Sequence, residues 1–90
     1  GDVTLTADSQ EFTGNILVDE ISSLALTMKN GTSYEGAINP DGDGGTVDVT
    51  LDDNSTWTLT GDSYITSFDG DTSNITANGY HLYVNGEQVL

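Results

Sequence analysis

The chain contains no cysteine and no arginine, and only one lysine (Lys29), one histidine (His81) and one proline (Pro40) in 90 residues. Without cysteine there is no disulfide, no thiolate nucleophile and no cysteine-ligated zinc. That is unusual for a small secreted eukaryotic domain and common among bacterial surface proteins. The shortage of cations stands against fifteen acidic residues, for a formal charge of −14. Such a field repels a phosphate backbone, and the chain lacks the cations that release counterions, so nucleic acid and anionic membranes are excluded as partners. The same acidity favours solubility and attracts cations, calcium among them. No apolar run approaches the roughly 20 residues needed to span a bilayer. No secretory leader pattern is present, so the sequence reads as a mature fragment or an excised domain.

Thr, Ser, Gly, Asp and Asn dominate, and good helix formers are sparse. Thr and Val suit pleated, half-buried positions. A chain rich in Gly and Asp could instead be disordered, but its apolar residues alternate too regularly for that. Phe12, Tyr34, Trp57 and Tyr80 are spaced by 22, 23 and 23 residues. Each opens an alternating run: Phe12-x-Gly14-x-Ile16-x-Val18, Tyr34-x-Gly36-x-Ile38, Trp57-x-Leu59-x-Gly61 and Tyr80-x-Leu82-x-Val84. Period-2 spacing places those residues on one strand face. A second run precedes each aromatic: Val3-Leu5-Ala7, Leu24-Leu26-Met28, Val47-Val49-Leu51 and Ile75-Ala77. Between the runs lie Asp8-Ser9, Asn30-Gly31, Asp53-Asn54 and Asn78-Gly79, residue types that tolerate sharp corners.

A fixed period near 22 is the mark of a stacked repeat. The spacing predicts an all-β fold, a short right-handed parallel β-helix of about four coils closed by a C-terminal hairpin. One domain spans 1–90, with coils near 1–21, 22–44, 45–72 and 73–84 and a cap over 82–90. The cap is read from Asn85-Gly86, flanked by Leu82-Tyr83-Val84 and Val89-Leu90, a strong hairpin signal. An antiparallel β-sandwich is the alternative, since eight short strands with frequent turns also suit it. The uncapped first coil, led by Val3 and Leu5, is a candidate edge for homo-oligomers.

The run Gly45–Phe68, centred on Ser55-Thr56-Trp57-Thr58-Leu59-Thr60-Gly61, together with Asn78–Gly86, resembles the C-terminal end of bacterial right-handed β-helix proteins. These are large adhesin-like surface proteins, similar in style to autotransporter passenger domains. Val18–Ile38 resembles the preceding coils of such a tail, so the likeness covers nearly the whole chain. It implies a non-catalytic structural or adhesin-like segment, extracellular or on the bacterial cell surface, with a glycan or surface partner. It carries over no catalytic residues.

The residues themselves offer little for an enzyme. His81 is the lone histidine, and no nucleophile elbow, P-loop or dinucleotide fingerprint is present. Asp52 and Asp53 are adjacent at a corner, where their carboxylates point apart rather than flanking a sugar bond. Calcium is the candidate ion: Asn39-x-Asp41-x-Asp43-Gly44 reproduces the first half of an oxygen-ligand loop, with Thr50 where a bidentate Glu belongs. Asp48 is the residue that could complete that shell, and Asp69 with Asp71 forms a weaker cluster. For carbohydrate, Tyr83 is the clearest outward aromatic and Trp57 the second candidate, although alternation places Trp57 with the core. A calcium-dependent carbohydrate-binding sandwich is thus the alternative function. The outward threonines Thr4, Thr6, Thr56, Thr58 and Thr60 are interrupted by Glu35, Ala37 and His81, unlike a regular ice-binding face. Three glycosylation sequons begin at Asn30, Asn54 and Asn74.

Overall fold

Alternation in the first segment turns Val3, Leu5 and Ala7 to one side of β1 (Asp2–Asp8), and the same spacing recurs one turn later in β3 (Ser23–Lys29). The two strands run parallel, with Val3 opposite Leu24, Leu5 opposite Leu26 and Ala7 opposite Met28. The computed structural model describes all 90 residues, which stack as four turns of a β-solenoid with three strand-bearing faces. The first face continues through β5 (Thr46–Leu51) to β8 (Ser67–Asp69) in the order β1-β3-β5-β8. The second joins β2 (Glu11–Thr13), β4 (Ser33–Glu35), β6 (Thr56–Thr58) and β9 (Ile75–Thr76). The third joins β7 (Ser63–Ile65), β10 (Leu82–Val84) and β11 (Glu87–Gln88), and is prolonged upward by the Ile16–Ile38 bridge. All pairings between rungs are parallel; the single antiparallel pair is the closing β10–β11 hairpin. That pattern excludes the sandwich. The sole helical element is one 3-10 turn at Thr72–Asn74.

Equivalent residues of successive turns sit above one another, so the core consists of columns. Leu5, Leu26, Val49 and Phe68 make one, and Val3, Leu24 and Val47 another. Leu26 and Val49 are 1% exposed, and burying each such side chain stabilises the fold by about 1.5–3 kcal/mol. On the second face Phe12 stacks on Tyr34 at 4.6 Å, and Tyr34 on Trp57 at 5.9 Å.

The fourth member of that column is Ile75, which pairs with Trp57, and not Tyr80. Ile75 therefore belongs to the second face rather than the first. The cause lies in the return between turns. Six residues, Leu17–Ser22, separate the third face from β3, and the Asn39–Gly45 loop precedes β5, whereas Thr66 alone separates β7 from β8. The fourth rung accordingly starts at β8, and every later element arrives early. Tyr80 falls in the corner ahead of β10, 40% exposed, its N–H bonded to Ala77 O.

The corners are sealed by small polar side chains turned inward. The single Thr32 hydroxyl proton is shared between the first and second rungs' carbonyls, Ala7 O at 2.9 Å and Lys29 O at 2.8 Å, and Oγ1 accepts from Gln10 N. Ser55 Oγ accepts from Thr32 N, and Ser63 Oγ from Ile38 N. No buried side-chain nitrogen or oxygen lacks a partner, as close packing of polar groups requires. At the first corner Asn30 and Gly31 adopt φ of 57° and 84°, the left-handed pair for which Asn-Gly is suited.

Candidate functional site

The outer corner between the first and second faces carries a carboxylate relay. Asn30 Nδ2 donates to Asp8 Oδ1 at 2.9 Å, and Asn30 N donates to Asp52 Oδ2 at 2.8 Å, so one residue joins three rungs. The Asn30 side chain holds Asp8 below its ordinary value of 3.8, and the Asn30 N–H does the same for Asp52. Asp71 is lowered by the Ser73 N–H that it caps. Groups lowered on folding contribute stability above the unfolded value and lose it as pH falls through the native one. Carboxyl NMR titrations are thus expected to place all three midpoints below 3.8, with corner stabilisation lost on acidification beneath that value. Midpoints at or above it would contradict the hydrogen-bonding scheme.

Trp57 is wholly buried, and its Nε1 donates to Gly36 O at 3.0 Å. A ring so placed offers no face to a sugar, so the candidate role of Trp57 as a sugar platform is not supported by its position. Tyr83 does lie on the outer side of its strand, half-buried, and stacks on Tyr64 at 4.6 Å with an interplanar angle of 5°. Beneath Tyr64 lies Gly42, and a polar depression of about 220 Å³ opens beside it, lined by Asn39, Thr66 and Asn85 among others. His81 stands edge-on to Tyr83, its ring nitrogen 3.3 Å from Leu90 O and from Gln88 Nε2.

Of the four residues considered for calcium, three share one depression and Asp48 lies apart on β5. Asp41 and Asp43 border one surface depression with Asn39 and Asp19. Asn39, however, is 4% exposed, and its Oδ1 accepts from Val18 N at 2.8 Å. Its φ of 46° marks it as the corner residue that begins the return loop. Asp48 projects outward from β5, where Ser67 Oγ donates to it at 2.6 Å. No group of three or more acidic or histidine side chains is arranged to hold a metal ion. Asn39 Oδ1 thus serves a structural bond to the rung before, and Asp48 lies on a different face from Asp41 and Asp43.

Sequence reasoning missed the inward hydroxyls. Their signal was present, since Thr32 and Ser55 each precede the column aromatic by two residues. No helix is long and apolar enough to cross a membrane. The chain matches no protein-family model, no curated protein and no solved structure.

Proposed function

We propose that the chain is a non-catalytic structural segment, adhesin-like in character, of a secreted or cell-surface bacterial protein. The observation that carries this reading is how the buried polar side chains are used. Thr32, Ser55, Ser63 and Asn39 each bond backbone groups of a neighbouring rung. Their chemistry is spent on holding turns together. The fold then acts mechanically, because stacked strands satisfy each other's backbone and distribute load along the columns. Acidity and the absence of cysteine support an extracellular setting.

The test is binding and turnover by the purified chain. Melting temperature is expected to be the same in EDTA and in calcium, with no loss of viscosity from polyuronate solutions. A calcium-dependent rise in melting temperature, or cleavage of polymer, would overturn the proposal. The Tyr64–Tyr83 pair beside its polar depression favours one further possibility within the same role, glycan contact at that face. On a glycan array Tyr83→Ala is expected to abolish any signal while costing only about 0.5–1.5 kcal/mol of stability, the worth of one stacked pair. A signal that survives the substitution would exclude that face.

A further inference from the structure

The two ends of the stack differ. At the C-terminal end the chain folds back, with β11 antiparallel to β10 and Val89 N donating to Leu82 O. At the N-terminal end the columns stop uncovered: Val3 is 57% and Leu5 45% exposed, although Leu26 below is 1%. Phe12, heading the aromatic column, is only half-buried. The backbone is equally unfinished there. Ser23 N donates to Gly1 O and Ser9 N to Lys29 O, so odd positions of β1 address the second rung. Alternation turns the N–H and C=O of Thr4, Thr6 and Asp8 the other way. In β2, Gly14 N donates to Glu35 O and Ser33 N to Gln10 O, which leaves Glu11 and Thr13 facing outward along the stack.

We propose that this end is the docking surface for one further rung of the same polypeptide, lying ahead of Gly1 and pairing parallel with β1 and β2. The inference deepens the structural reading and rests on its stacked rungs, not on its surface-protein part. The edges of two faces and the Ile16 position end at one level around a ring, and only another closed turn meets them together at about 4.8 Å. Register supplies the connection. Asp2 aligns with Ser23 and Thr46, so Gly1 occupies the place of Ser22 and Gly45, through which the chain already passes between rungs. Charge argues against a second copy. Two β1 edges meeting head to head pair antiparallel, and centring them on Leu5 sets Asp2 of one against Asp8 of the other. Parallel neighbours inside the molecule avoid this, placing Ser23 on Asp2 and Lys29 on Asp8.

The experiment fuses a second copy of residues 23–44 ahead of Gly1, which then takes the place of Gly45, and follows amide exchange by NMR. In the 90-residue chain the amides of Thr4, Thr6, Asp8, Glu11 and Thr13 are expected to exchange freely. In the extended chain they are expected to slow by about 100-fold or more, with the protein monomeric. Val3→Thr with Leu5→Thr is expected to lower the melting temperature of the extended chain and leave that of the 90-residue chain nearly unchanged. Three results overturn the proposal: an added segment that stays disordered, edge amides still fast beside a folded addition, or a 90-residue chain already dimeric with those amides protected. Calcium binding or polymer cleavage would sink the non-catalytic reading while leaving these exchange rates as they are.

Discussion

Replacing Trp57 with alanine is expected to cost about 3–5 kcal/mol, the range for emptying a large aromatic site in a core. A 90-residue domain has a total stability of roughly 5–13 kcal/mol, so the variant is expected to be largely or marginally unfolded at 37 °C. Three losses combine in the single substitution. The ring is fully buried, it stacks on Tyr34 at 5.9 Å, and its Nε1 bonds Gly36 O. Trp57→Phe keeps most of the stack but drops the hydrogen bond, and is expected to cost about 2 kcal/mol. Urea unfolding of both variants against the parent checks the order. The parent's single-tryptophan emission should be blue-shifted and insensitive to iodide; quenched, red-shifted emission would show that the ring faces water.

Gly36→Ala is expected to be nearly as damaging, at about 3 kcal/mol, although it adds one methyl group. A β-carbon at position 36 would overlap the Gly14 carbonyl oxygen of the rung before and the Tyr34 hydroxyl. The first of these is backbone, and the second is pinned by its bond to Gly14 O at 2.7 Å, so neither yields cheaply. Burial raises the Tyr34 phenol above its ordinary range, so it stays protonated and keeps donating. Gly61→Ala is the control: its nearest neighbour would be the Ala37 methyl at 3.4 Å, a contact that a small shift relieves. It is expected to fall within about 1 kcal/mol of the parent. Equal losses for the two substitutions would refute the close rung-to-rung approach at Gly36.

These two sites also show what was legible beforehand. Trp57 and Tyr34 were readable as one inward column because a spacing near 22 repeats, and repetition is how a solenoid records its rise in sequence. The hairpin was readable from Asn85-Gly86, whose φ angles of 51° and 81° are those its turn demands. Tyr80 misled because period alone cannot register a deleted loop. Once Thr66 replaces a longer return, Ile75 reaches the column first. Asn39 has a structural use that spacing did not show. A ligand loop and a solenoid corner both place an amide oxygen beside glycines, and the bond from Val18 N to Asn39 Oδ1 became legible only in the fold. The third face was hidden because its upper rungs hold single bridging residues, Ile16 and Ile38, too short to show alternation.

The stacked register is tested most directly by proton NMR contacts from the Trp57 indole. Cross-peaks to the Tyr34 ring and to Ile75 are expected, with none to Tyr80. Contacts between Trp57 and Tyr80, or none to Tyr34, would contradict the rung order on which the columns, the corners and the open N-terminal edge all depend.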